Sequence, residues 1–242
     1  MERVIADLFP DQNTKDKSPK DHRHGHRARL RERFLKGGAD ALPDYELLEL
    51  ILMLAIPRRD VKPLAKKLIE EFGGYAAVLS ADPQVLLKTA GLGETAVAAI
   101  KSVQASAVLL ARSQAKEKPV LSNWNAVAAY LQSSMASLVR EQFRLLFLDK
   151  QNRLLADEIL SDGTVDHTPV YPREVVRRAL ANNASALILV HNHPSGDVSP
   201  SKADIAMTKD LSDACNKIGI QIHDHIIVGS TGQASFRDLG LL

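Results

Sequence analysis

The chain has 242 residues, of which 45% are hydrophobic and 25% charged, the balance of a soluble globular protein with room for one large domain or two small ones. A single cysteine, Cys215, excludes an internal disulfide and fits a reducing, cytoplasmic setting. No apolar run reaches the roughly 18 residues of a bilayer span, and the N-terminus lacks the basic, apolar and small-residue order of a secretory leader, so no membrane partner is expected.

The net charge of +2 says little, but its distribution is informative. Lys15 to Lys36 reads KDKSPKDHRHGHRARLRERFLK, strongly basic and poor in apolar residues. Residues 1–27 are expected to form a flexible basic tail. From about Arg27 the pattern allows a helix with a basic face, which suits nucleic-acid phosphates, a solvated surface or a docking arm. His22, His24 and His26 alternate there, but nothing nearby orders them as ligands.

Residues 28–113 read as a small all-α domain. Apolar residues from Tyr45 to Ile56 predict one helix, Val61 to Phe72 a second, and Asp82-Pro83 starts a third. Gly91-Leu92-Gly93 followed by a helix of small residues resembles a helix-hairpin-helix turn. Its glycines permit close approach of a phosphate, and the next helix offers free N–H groups. Gly91, Gly93, Lys88 and Lys101 are therefore candidate DNA-phosphate contacts, although Glu94 places a negative charge at the same spot. A purely architectural helix turn is the alternative.

Arg112 to Pro119 is polar and ends in proline, so 114–120 is expected to be a linker. Residues 121–242 then alternate between periods. Asn125–Leu138 predicts a helix, Phe143–Leu148 and Leu154–Leu160 two strands, and Pro172–Asn182 a helix. Ala186–His191 predicts a buried strand, a helix follows Pro200, and His223–Val228 predicts a last long strand. An α/β domain around one mixed sheet follows.

The chemistry concentrates at His191-Asn-His193-Pro194 and Ser201-Lys-Ala-Asp204. Strand periodicity puts both imidazoles on one side, and Asp204 falls in the first turn of the next helix. Two histidines and one carboxylate leave a fourth tetrahedral position open, the pattern of a catalytic zinc. Either Ser199 with Pro200, or Ser201 with Asp204 three residues on, suits the helix cap. If Ser199 caps, Ser201 is free for another role. His223 and His225 form a second one-apart pair without a further ligand at a convincing spacing. Cys215, on an apolar-periodic helix, reads as buried and inert.

This motif, with the longer string LILVHNHPSGDVSPSKADIAMTKDL and DHIIVG downstream, resembles the JAMM (MPN-domain) metalloenzymes and, within them, the RadC family. The likeness extends over most of the chain. It implies a JAMM/MPN-like α/β domain preceded by a helix-hairpin-helix-like domain, with Zn2+ on His191, His193 and Asp204. It also implies a glutamate general base just before an apolar strand, which selects Glu141 over Glu158 and Glu174, and Ser201 as hydrogen-bond donor to the developing oxyanion. The Asp224-His225 pair resembles a recurring family element and reads as support near the metal or as sheet structure.

Two function classes follow. One is a zinc metallopeptidase or isopeptidase acting on a protein or peptide substrate. The other, which the RadC resemblance implies, is a DNA-associated repair or recombination accessory protein with a structural metal domain. The two combine in a DNA-tethered metallohydrolase. A nuclease fits less well, because phosphodiester cleavage commonly uses paired metals. Oligomeric state is not legible.

Overall fold

The computed structural model describes residues 19–163 and 170–242, with side chains from Gly25 onward. Most of the expected tail, and the side chains of His22 and His24, lie outside the described residues. The chain divides into two units, one made of residues up to Val78 with Leu87–Ile100, the other of Leu79–Leu86 with Lys101–Leu242.

The first unit is helical, as its sequence pattern requires. It contains α1 (Pro19–Gly37), α2 (Asp44–Ala55) and α3 (Lys62–Phe72); α4 (Tyr75–Ser80), α5 (Pro83–Lys88) and α6 (Glu94–Lys116) cross the boundary between the units. Leu48, Ile51 and Leu52 of α2 are buried, and so, against expectation for carboxylates, are Glu46 and Glu49. Helix α1 supplies their partners. Arg33 meets Glu46 at 2.8 Å and His26 meets Glu49 at 2.9 Å. The Arg27 guanidinium donates to the carbonyls of Ile56, Pro57 and Arg59, satisfying backbone acceptors just past the end of α2. The basic helix thus turns part of its charge inward. It starts at Pro19, so helix extends into the stretch expected as tail, and His26 and Arg27 there are engaged.

Helix α6 runs through Lys116, so the expected 114–120 linker begins as helix and passes into a short 3-10 turn at Val120–Ser122. Ala115 and Val120 are the reason, because both are buried in the core beside the sheet. By length and composition alone α6 is apolar enough to cross a bilayer, although polar residues interrupt its apolar runs. In the folded chain Val97, Ile100 and Ala115 along it are buried, whereas Leu109 and Leu110 are exposed.

The second unit holds a five-stranded sheet in the order β2-β1-β3-β4-β5. Its strands are β1 (Gln142–Leu148), β2 (Leu154–Asp162), β3 (Ala186–Asn192), β4 (Gln221–Gly229) and β5 (Gly232–Ser235). Only β3 and β4 are parallel, and a parallel pair needs a crossover. That crossover is α9 (Lys202–Asn216). One sheet face packs on α7 (Trp124–Met135), with Val127, Tyr130 and Leu131 against Leu146, Ile188, Val190 and Ile226. On the other, Val175 and Ala179 of α8 (Pro172–Ala181) and Leu211 and Cys215 of α9 meet Phe143, Leu145, Leu187 and Leu189. Covered on both sides, β3 is buried along its whole length, which accounts for the unbroken run Leu187 to Val190. This is the mixed α/β architecture expected from the sequence.

Candidate metal centre

Strand β3, with the loop after it, and helix α9 build the site. The strand carries His191 one residue before its end, in register with Phe143 of β1 on one side and Ile227 of β4 on the other. His193 follows just beyond the strand, still tied to the sheet through its N–H to the Val228 carbonyl at 2.9 Å. The two imidazoles therefore keep to one side, as period-2 geometry requires, with their Nε2 atoms 2.9 Å apart.

Helix α9 brings the carboxylate. Ser201 is its N-cap: Ser201 Oγ accepts the Asp204 N–H at 3.1 Å, and Asp204 Oδ2 accepts the Ser201 N–H at 2.8 Å. Ser201 is thus not released by a cap at Ser199; the helix begins at Lys202, and the reciprocal pair wins because it satisfies two orphan donors at once. Capping uses Ser201 Oγ as an acceptor, and its own O–H is still available to donate. The same cap fixes the Asp204 side chain, whose Oδ1 is 3.5 Å from His191 Nε2 and whose Oδ2 is 3.8 Å from His193 Nε2.

His193 is oriented from the other side. Its Nδ1 lies 2.6 Å from the Asp197 carbonyl, which can only accept, so Nδ1 carries the proton and Nε2 the lone pair. Asp197 is held by a turn in which its carboxylate accepts the Ser199 N–H, and hydrogen bonds to Ser199 depress its pKa. Gly229 keeps this loop close to the sheet: a Cβ there would meet the Gly196 carbonyl oxygen at 2.7 Å.

His191, His193 and Asp204 form the one group of three or more potential metal ligands among the described residues, with one ligand atom from each lying within 4.8 Å of the others. Two imidazole nitrogens and a carboxylate oxygen suit Zn2+ with a position left open. The donor set therefore fits the ion the sequence implies, and the group as a whole can hold a metal. His223 takes no part. Its Nε2 bonds Asn152 Oδ1 at 2.6 Å, whereas His225 Nε2 reaches His191 Nδ1 at 2.8 Å. The two part because the β3–β4 register slips at His223, a β-bulge that reverses the side-chain alternation.

The three candidate bases separate clearly. Glu174 is paired with Arg177, whose hydrogen bond holds its carboxyl below the usual range. Glu158 lies on edge strand β2 and accepts from Asn182 at 2.8 Å and Arg178 at 3.3 Å. Glu141 immediately precedes β1, two residues before Phe143, whose ring stacks with that of His191 at 6.0 Å. It thus stands at the end of β1 that runs beside the histidine end of β3.

In the helical unit, Gly91 has φ +100°, a left-handed conformation that favours glycine, and its carbonyl accepts from Arg59 at 2.8 Å. Gly93 precedes α6 and its carbonyl accepts the N–H of Ala96. Lys88 is exposed on the last turn of α5. Lys101 instead donates to the carbonyls of Leu79 and Ala81 at 2.9 and 3.0 Å, and burial lowers its pKa. Its ammonium therefore serves the segment ending α4. Cys215 is buried and its pKa is raised by that burial, as expected.

Sequence reasoning passed over Asn192 and Thr208. Asn192 is nearly fully buried and bonds the backbone on both sides of Glu141. Thr208 lies one turn after Asp204 on α9 and contacts His225. The i, i+4 spacing to Asp204 was the available signal for Thr208; nothing in the sequence marks Asn192, whose partners lie about fifty residues away.

Both parts of the chain match known families. Residues 121–241 match the RadC-like JAB domain family, and residues 23–98 match the UPF0758 N-terminal family. A UPF0758 protein of Rhodobacter capsulatus is 57% identical over 213 residues, covering 88% of this chain and all of that protein. The chain belongs to the RadC family. A second relative of this RadC-family chain, a UPF0758 protein of Ruegeria pomeroyi, is 52% identical over 217 residues, 90% of this chain and 97% of that one. The RadC match begins at Leu121, just after the expected linker, and contains the whole histidine–aspartate group.

Proposed function

We propose that this RadC-family protein is a zinc-dependent hydrolase of amide bonds, a metallopeptidase or isopeptidase whose substrate is a protein or peptide. The observation that carries the reading is the convergence of His191, His193 and Asp204 from two elements into one open donor set. Bound there, Zn2+ would supply Lewis acidity and lower the pKa of water toward about 7.

The protein's own residues supply the rest. Glu141 accepts a proton from the attacking water and returns it to the departing amine, so the C–N bond breaks with no net proton change. Ser201 O–H, left available by the cap, donates to the carbonyl oxygen as negative charge develops. The capping box, the Asp197 carbonyl and the sheet hold the donor atoms in place before substrate arrives, which limits reorganisation during reaction.

The alternative proposal is a DNA-associated accessory role in which the metal domain is structural. It is supported by the exposed part of the basic helix α1 and by the glycine turn at Gly91–Gly93. The deciding measurement is zinc content and cleavage of peptide, isopeptide and DNA substrates by the full chain and Glu141→Gln. One zinc in both, with amide cleavage by the parent alone, supports the hydrolase. Zinc in both with no cleavage supports the accessory role, and a parent that takes up no zinc removes the metal reading.

A further inference from the structure

The tautomer of His191 is not a local choice. It is the end of a chain of hydrogen bonds that begins on α9. Thr208 Oγ1 lies 2.6 Å from the Asp204 backbone carbonyl, which offers no proton, so the single hydroxyl proton points there. The same Oγ1 is 2.6 Å from His225 Nδ1. With its proton committed, Thr208 can only accept, and His225 Nδ1 must donate. A neutral imidazole has one N–H, so His225 Nε2 is then an acceptor. It stands 2.8 Å from His191 Nδ1, which must donate in turn. The lone pair of His191 is left on Nε2, the atom that faces His193 Nε2 at 2.9 Å and Asp204 Oδ1 at 3.5 Å.

The surroundings of His225 hold it in this position. Its ring is completely buried, with Phe236 at 4.5 Å and Phe143 at 5.7 Å between centroids. The adjacent carboxylate, Asp224, is turned elsewhere: Oδ2 accepts from Ser235 at 2.6 Å, and Oδ1 accepts the N–H groups of Arg237 and His225 at 3.0 and 2.7 Å. Three separate elements, α9, β4 and β3, thus meet in one line of donors and acceptors that runs in a single direction.

We infer that Thr208 and His225 are positioning residues that lock His191 in the Nδ1–H tautomer, so that its Nε2 lone pair, with that of His193, is presented to a cation. The inference rests on the metal-centre reading and deepens it. With Asp197 fixing His193, both facing nitrogens carry lone pairs and neither brings a proton to the other. Two acceptors at that separation are reconciled by a cation between them. Removing the Thr208 hydroxyl would leave His225 Nδ1–H without an acceptor. His225 would then gain by shifting its proton to Nε2 and donating to His191, which pushes the His191 proton onto the metal-facing nitrogen.

The test compares the full-length parent with Thr208→Ser, which keeps the hydroxyl and loses a methyl, and Thr208→Val, which keeps the shape and loses the hydroxyl. Two quantities are read: the ring-nitrogen protonation of His191 and His225 by long-range proton–nitrogen NMR on metal-free protein above the histidine titration range, and Zn2+ affinity by chelator competition. The expected result is Nδ1–H on both histidines in the parent and Thr208→Ser, with equal zinc affinity. Thr208→Val should show His191 protonated at Nε2 and bind zinc about 10- to 100-fold more weakly. A parent with His191 already protonated at Nε2 overturns the inference without any variant. So does a folded Thr208→Val with the parental tautomer and affinity. If the parent takes up no zinc but the tautomer inverts in Thr208→Val, the hydrogen-bond chain stands and the metal reading falls.

Discussion

The side-chain carbonyl of Asn192 accepts the backbone N–H of Gln142 at 2.8 Å, while its amide donates to the Arg140 carbonyl at 3.0 Å. Those two peptide groups flank Glu141. The residue between the two histidines therefore fastens the segment carrying the proposed base to the strand carrying the proposed ligands. Truncating it in Asn192→Ala would leave buried backbone groups unpaired, at about 1–3 kcal/mol. We expect that loss in urea denaturation, with zinc stoichiometry unchanged because the ligand atoms come from other residues. A variant of parental stability would show that the clamp is unimportant.

The cap at Ser201 makes a second prediction. Ser201→Ala removes the acceptor for the Asp204 N–H and should cost about 1 kcal/mol. Since the same box holds Asp204 Oδ2, zinc affinity should fall with it, and Ser201→Thr should restore both. Thermal unfolding and chelator competition on the two variants check this. Equal zinc affinity in all three proteins would separate the cap from the site.

On the opposite sheet face, Tyr130 donates to Asp157, and Arg144 approaches the same carboxylate at 3.6 Å. Burial first, then the Asp157 charge, pushes the Tyr130 pKa up to about 12. A pKa raised in the fold above its unfolded value of about 10 means the protonated phenol stabilises the native state. That contribution is complete below pH about 10 and is lost as pH rises toward 12. Ultraviolet titration should show a tyrosine step near pH 12 that is lost in Tyr130→Phe. The variant should also lose about 1–3 kcal/mol at neutral pH, where Asp157 keeps fewer donors.

Helix α1 divides its cations between two duties. Arg27→Gln should destabilise the helical unit, because three carbonyls beyond α2 lose their donor. Arg29 and Arg31 are exposed, so the double change to Gln should leave stability within about 0.5 kcal/mol. If DNA is a partner, the double variant should bind it more weakly and lower the salt slope by about 2. Fluorescence anisotropy across salt concentrations measures this, and an unchanged slope would remove these arginines from the interface.

Much of this protein is written in local patterns. Helical periodicity from Tyr45 to Phe72, the apolar run into His191 and the spacing from His193 to Asp204 are all short-range, and each led to the element or group found. Local sequence determines these because side-chain period and chain reversal act over a few residues. Other features needed distant chain segments brought together. Glu46 and Glu49 are buried only because α1 folds Arg33 and His26 onto them. Ala115 and Val120 become core because the sheet lies beside them, which turns an apparent linker into helix and turn. His225 reaches His191 only because the bulge at His223 reverses the alternation of β4, and period-2 reading carries no mark of a one-residue slip. The sequence by itself determined which residues can bind a metal and in what order they arrive. Tertiary structure decided where their protons sit, because a hydrogen bond's direction is set by its partners and these lie on three different elements.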